Sequence, residues 1–146
     1  MVTVIEFIAV LSCTLFTGAA IYINLVEHPA RMGCDTKTAA TVWVPSYKRA
    51  TVMQASLAIL SFLSGVSAWL LGGSVIWLFG AVVIGLVVPF TFIAIMPINH
   101  QLLESGRDLA SEETQKLLEK WGKLHAVRSV LSLVASVIYL TLLLSA

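Results

Sequence analysis

Residues 50–96 read ATVMQASLAILSFLSGVSAWLL, then GGS, then VIWLFGAVVIGLVVPFTFIAIM, without one charged side chain. Each of the two apolar parts is close to the roughly 20 residues that an α-helix needs to cross the hydrocarbon core of a bilayer. The two glycines and the serine between them are typical of a tight turn. The stretch therefore predicts two membrane helices joined as a hairpin.

The rest of the chain supplies two more apolar runs of similar length. The 146 residues are 58% hydrophobic and 12% charged, with a mean hydropathy of +0.93, well outside the balance of a soluble domain. Irregular backbone cannot face lipid, so the apolar runs are expected to be helices. We predict an all-α bundle of four transmembrane helices that forms a single integral membrane domain over residues 1–146. The predicted spans are about 3–26, 50–71, 74–96 and 124–145.

The basic residues are confined to two segments, residues 27–49 and 99–128, and each segment links two of the apolar runs. All nine lysines and arginines lie there. Because cytoplasmic loops of membrane proteins are enriched in Lys and Arg, we expect both links in the cytoplasm and both termini on the opposite side. In the second link, Ser111 followed by two glutamates predicts the start of a short cytoplasmic surface helix that runs into the fourth span.

Polar residues recur at helical spacing where the apolar runs meet the links. Asn24, His28 and Arg31 lie three and four positions apart, with Glu27 beside them, and the fourth run opens with His125 and Arg128. Since both links are expected on one side of the membrane, these helix ends should meet. The candidate site then contains Asn24, Glu27, His28, Arg31, Tyr47, Arg49, Asn99, His100, His125 and Arg128.

Three chemical interpretations of this cluster remain open from the residues alone. The side chains can be structural and contact lipid headgroups. They can hold a metal such as mononuclear iron or copper, with His28, His100, His125 and Glu27 as candidate ligands, although no segment has a strong metal-binding spacing. They can also form a metal-free site in which a histidine, with its ordinary pKa of about 6.5, removes a proton and nearby arginine and asparagine side chains stabilise the resulting anion. Cys13 and Cys34 fit no zinc or redox motif and are expected to be structural.

Four motifs together resemble a known family. They are Asn24-x-x-Glu27-His28-Pro29-Ala30-Arg31, the stretch from Trp43 to Arg49, Met96-Pro97-Ile98-Asn99 with Leu102, and Trp121-x-x-x-His125-x-x-Arg128. This combination, spread over the whole chain, is similar to the anthrone-oxygenase-like family of small four-helix membrane proteins, whose members are mostly uncharacterised bacterial proteins. The resemblance implies a bundle in a bacterial cytoplasmic membrane that uses molecular oxygen on an apolar aromatic substrate.

For the site, the resemblance implies an oxidoreductase that acts on an anthrone-like or quinol-like molecule near the cytoplasmic interface. His28 or His125 would be the base, and Arg31 and Arg128 would stabilise the anion. The residues implied for substrate binding are Asn24, Glu27, Tyr47, Arg49 and Asn99. No cofactor is required by this chemistry, and the sequence has no glycine-rich nucleotide motif for a flavin.

A non-catalytic membrane protein is the alternative function. Small residues in the apolar runs, such as Gly18 and Gly65, are typical of close helix packing. Such a protein would bind a small apolar ligand, lipid or a partner helix. In either case we expect membrane lipid and a small aromatic molecule as partners, no nucleic acid, and a homo-oligomer as one possible assembly.

Overall fold

The computed structural model describes residues 3–145, and all regular structure within that range is helical. The chain forms four long helices, each long and apolar enough to cross a membrane. They are α1 (Val4–Met32), α2 (Thr36–Leu70), α3 (Val75–Leu102) and α4 (Glu112–Leu144). The predicted all-α membrane bundle with four transmembrane helices is thereby confirmed.

Two helices extend well beyond the apolar runs that predicted them. Asp35 caps α2, and its Oδ1 accepts a hydrogen bond from the backbone N–H of Thr38 at 3.0 Å, so most of the first link is helical. Ser111 caps α4 in the same way and accepts from the backbone N–H of Thr114 at 3.1 Å. The expected surface helix is therefore the first part of one continuous helix with the fourth span.

The helices pack in a ring in which α1 contacts α2 and α4, and α3 contacts the same two helices. Two hydrophobic clusters fill the ring at different levels. One surrounds Phe16, Trp77 and Tyr139, and the other surrounds Trp43 and Trp121. The second lies at the end of the bundle that carries the two polar links, which we name the link end.

A π-helical turn interrupts α1 at Ile23–Glu27 and another interrupts α3 at Thr91–Ile95. The residue after each turn donates its backbone N–H to the carbonyl five positions earlier, and a proline follows at once, in His28–Pro29 and in Met96–Pro97. Proline has no N–H to donate, and the wider turn lets the helix continue past it. Instead of ending at Met96–Pro97, α3 therefore continues to Leu102.

The connections between the helices are short. Gly72 has a φ of 97° in the turn between α2 and α3, a conformation that glycine adopts without a steric cost. Both cysteines are free thiols. Cys13 is buried in α1, with its Sγ atom 3.4 Å from the hydroxyl of Ser136, whereas Cys34 is exposed in the first link.

Candidate active site

A cavity lies between the helices on the inner side of the link-end aromatic cluster. Its volume is about 110 Å³, smaller than the roughly 300–1,000 Å³ of pockets that enclose a drug-sized ligand. Apolar side chains form most of the wall, including Phe16, Val87 and Ile95. The polar contributions come from Tyr47, Thr51, Gln54, Thr91, Asn99 and Arg128.

His125 borders a small recess that shares much of its wall with this cavity. The residues common to both are Tyr47, Thr51, Gln54, Trp121 and Arg128. His125 itself is 1% exposed, so its ring is shielded from bulk solvent. The imidazole is thus a near neighbour of the cavity.

Asn24 fixes the orientation of the His125 ring. The side-chain Nδ2 of Asn24 donates to the carbonyl oxygen of Gly122 at 3.0 Å, which assigns the two ends of its amide. Its Oδ1 then accepts from the Ser129 hydroxyl at 2.5 Å and lies 2.8 Å from Nδ1 of His125. An amide oxygen can only accept, so Nδ1 of His125 carries the proton and Nε2 is the unprotonated nitrogen.

Arg128 brings a positive charge to the wall of the cavity. One of its terminal nitrogens, Nη2, donates to Oε1 of Gln54 at 2.8 Å. The guanidinium carbon lies 5.5 Å from the centre of the Phe16 ring, a cation–π distance. Among residues 3–145, no acidic residue borders the cavity, so this charge is available to an anion that forms there.

Asn99 is 1% exposed, and within residues 3–145 neither its amide nitrogen nor its amide oxygen has a hydrogen-bond partner. The same is true of the indole N–H of Trp121. Buried polar groups are nearly always paired in folded proteins, because an unpaired one costs about 1–3 kcal/mol. Both side chains border the cavity. A polar group on a bound molecule is the natural partner for them.

Trp121 lies between the two histidines. Its ring centre is 5.2 Å from that of His28 and 5.0 Å from that of His125. His28 also packs against Gly122, where an added Cβ would lie 2.6 Å from the imidazole. His28 borders neither the cavity nor the recess.

Glu27 and Arg31 form an ion pair within α1, and Ser46 of α2 donates its hydroxyl to the same carboxylate. Arg31 also lies 3.3 Å from the Ser46 hydroxyl. The two arginines that the sequence placed near each other thus have separate partners: Arg31 is held by Glu27, and Arg128 by Gln54. Neither Glu27 nor Arg31 borders the cavity.

The remaining candidate residues are placed in different surroundings. Tyr47 borders the cavity and stacks on Trp43, with ring centres 4.8 Å apart and planes inclined by 2°. Arg49 and His100 are exposed. In the described part of the chain, no three His, Cys, Asp or Glu side chains come together as a metal site. The four candidate metal ligands therefore do not form a common site.

Sequence reasoning missed several residues of the site. Gln54 was not among the predicted site residues, and Ser129 and Gly122 carried no functional signal. Each of them makes a hydrogen bond across the bundle. Gln54 accepts from Arg128, and Ser129 and Gly122 are both hydrogen-bonded to Asn24. A polar residue inside an apolar run, such as Gln54, was the one available sequence signal.

Comparison with known proteins now places this site in a family. The family model named Anthrone oxygenase matches residues 43–138, which include most of the cavity wall. The chain belongs to the anthrone oxygenase family. The chain is also 30% identical over 142 residues to the anthrone oxygenase tpcL of Aspergillus fumigatus. The alignment covers 89% of this chain and 87% of that relative. No solved structure matches the chain.

Family membership confirms the resemblance seen in the sequence and identifies an oxygenase-type enzyme in a multi-pass membrane bundle. The matched region includes Asn99, Trp121, His125 and Arg128 and begins after the first helix. The pairing of Asn24 with His125 therefore joins α1 to the matched region.

Proposed function

We propose that this protein is a membrane-embedded oxygenase that oxidises an apolar aromatic molecule of the anthrone type, with a C–H group made acidic by a conjugated carbonyl. The observation that supports this best is the cavity itself: its wall is largely apolar, while Arg128 and Asn99 border it and His125 adjoins it. The matching relative carries the name anthrone oxygenase, which agrees with this substrate class.

His125 is the proposed base. The hydrogen bond to Asn24 keeps the proton on Nδ1, so the lone pair of Nε2 is free to take a proton from carbon. His28 is the weaker candidate because it contacts Trp121 but does not border the cavity.

Arg128 and Asn99 are the proposed groups for the substrate oxygen. Removal of the C–H proton moves the electron pair towards the carbonyl and gives a phenolate-like anion. A fixed guanidinium and a fixed amide N–H stabilise that charge more in the anion than in the neutral ketone, which is the requirement for catalysis. The indole N–H of Trp121 is a third donor at the same wall.

The overall reaction needs no reductant other than the substrate. The carbanion forms a C–O bond with molecular oxygen, and the proton held by His125 passes to the outer oxygen to give a hydroperoxide. Loss of the second C–H proton and cleavage of the O–O bond then produce a carbonyl group and release water. One oxygen atom enters the quinone and the other leaves in water, so atoms and electrons balance.

We place this site near the cytoplasmic interface of a bacterial cytoplasmic membrane. Both polar links, with all nine lysines and arginines between residues 31 and 128, lie at the link end of the bundle. The positive-inside rule supports that orientation.

The test uses purified protein in lipid vesicles with anthrone as substrate. Oxygen uptake and anthraquinone formation should proceed in equal amounts above the rate in empty vesicles, and ¹⁸O₂ should label one oxygen of the product. His125→Ala should reduce kcat by about 10²–10⁴-fold, the usual contribution of a positioned base, while His100→Ala at the exposed histidine leaves the rate unchanged. Equal rates for folded His125→Ala and the unmodified protein would exclude this site.

A further inference from the structure

An apolar groove lies between α2 and α3, separate from the polar end of the cavity. In the part of the chain that the structure describes, no charged side chain lines this groove. Phe62 lies over Gly85, where an added Cβ would be 2.9 Å from the ring, so the glycine makes room for the aromatic side chain. The wall also includes Ala58 and Leu86, together with Val88 and Pro89.

The groove adjoins the cavity through two shared residues. Ala58 of α2 and Val88 of α3 border both spaces. Ala58 is 2% exposed and faces the interior of the bundle, whereas Val88 is 38% exposed and faces outward. Ala58 and Val88 thus form a partition that groove and cavity share.

The wall contributed by α3 is irregular at this same level. The regular helix Val75–Gly85 ends at Leu86, and a four-residue helical segment, Val87–Phe90, leads into the π turn. Pro89 has no N–H to donate to the carbonyl of Gly85. With fewer regular hydrogen bonds, this part of α3 can shift at a lower cost than an unbroken helix.

We infer that this groove is the lateral entrance through which the apolar aromatic substrate passes from the bilayer into the cavity between Ala58 and Val88. The inference rests on the proposed function, because it assigns the route to the same substrate class. A flat apolar molecule concentrates in the hydrocarbon layer, where the uncharged wall of the groove replaces lipid contacts at little cost. Its oxygen would meet polar groups only inside the cavity, where Asn99 and Arg128 form part of the wall.

Leu86 and Leu133 provide a matched pair for the kinetic test. Both are lipid-facing leucines of similar exposure, 48% and 46%, but Leu86 borders the groove and Leu133 lies on α4 outside it. For anthrone dissolved in vesicles, Leu86→Trp should reduce kcat/KM by at least about tenfold, the effect of 1.4 kcal/mol on the entry step, with kcat little changed. Leu133→Trp should leave kcat/KM within about twofold. Equal kcat/KM values for the two variants would contradict the proposed entrance.

A second measurement tests the route on the unmodified protein and without turnover. Vesicles containing the protein are irradiated with an anthraquinone that carries a photoreactive diazirine, and the labelled residues are mapped by mass spectrometry. Labels on the groove residues that decrease when unmodified anthraquinone is added support the entrance. Labels spread evenly over the lipid-facing surface, or groove labels that do not respond to the competitor, indicate a groove filled by lipid alone and overturn it. If anthrone is not oxidised, the proposed function fails, but this map still tests the entrance.

Discussion

Oδ1 of Asn24 lies 2.8 Å from Nδ1 of His125, although 101 positions separate the two residues in the chain. The contact joins the π turn of α1 to the first half of α4 and sets which imidazole nitrogen is free. Asn24 thus acts through His125, as a positioning residue, and it does not border the cavity itself.

Replacing Asn24 by alanine should therefore lower kcat more than it affects KM. Without the amide oxygen, the ring of His125 can rotate or carry its proton on Nε2, and a wrong tautomer of a catalytic histidine reduces turnover strongly. We expect a decrease of at least about tenfold. Steady-state oxygen uptake with anthrone measures both constants.

Ser129→Ala is the matched control for this change. It removes the other hydrogen bond to the same oxygen, at 2.5 Å, but leaves the Asn24–His125 contact in place. Its kcat should remain within about threefold of the unmodified enzyme, a change of less than 1 kcal/mol. Similar losses in both variants would indicate a general packing effect instead of control of the tautomer.

The sequence predicted which polar residues share a helix face but not which side chains contact each other. Three- and four-residue spacing depends only on helix geometry, so it could group residues on one helix face. It assigned Asn24 and His125 to helix ends, whereas both lie inside their helices, because α1 continues to Met32 and α4 begins at Glu112. It could not show that Asn24 contacts His125 while Arg31 contacts Glu27, since these choices depend on how the helices are rotated in the bundle. The π turns before Pro29 and Pro97 change that rotation, and regular spacing does not include them.

Asn99→Leu should stabilise the fold and weaken substrate binding. The amide of Asn99 is buried and, in the described part of the chain, unpaired, so removing it relieves a cost of about 1–3 kcal/mol. The same change removes a group proposed to bind the substrate oxygen. The unfolding temperature in detergent should rise, while KM for anthrone should increase.

Asn24→Leu serves as the opposite case, because the Asn24 amide has partners in Gly122, Ser129 and His125. That variant should unfold at a lower temperature than the unmodified protein. If Asn99→Leu also lowers the unfolding temperature, Asn99 has a structural partner in the membrane and is not reserved for the substrate.

Arg128→Gln should reduce kcat by about 10²–10³-fold, the typical effect of removing one group that stabilises a developing oxyanion. Arg128 borders the cavity, whereas Arg49 is exposed, which makes Arg49→Gln the matched control with the same loss of charge. The control should keep its kcat within about twofold. Comparable losses from the two substitutions would point to the net charge of the link end and not to a specific contact.

Cys34 reports on the orientation of the bundle, which remains a prediction from the basic residues. It is exposed within the first link, while Cys13 is buried inside α1 and serves as an unreactive internal control. If the links are cytoplasmic, a membrane-impermeant maleimide added to intact cells should leave Cys34 unlabelled and should label it after permeabilisation. Labelling of Cys34 in intact cells would show that the links lie outside the cell and would contradict the predicted orientation.

Substitutions at His28 and Gly122 should have coupled effects on the free energy of unfolding but not on turnover. A Cβ added to Gly122 would lie 2.6 Å from the His28 ring, so Gly122→Ala should destabilise the protein by about 1–3 kcal/mol, the usual cost of overpacking. Combining it with His28→Ala should restore much of that loss, whereas Gly18→Ala, with nothing within 4 Å, should be neutral or slightly stabilising. Chemical unfolding in detergent measures these differences.

If His28→Ala alone retains its fold but loses turnover to the same extent as His125→Ala, His28 belongs to the chemistry and the assignment of a single base is wrong.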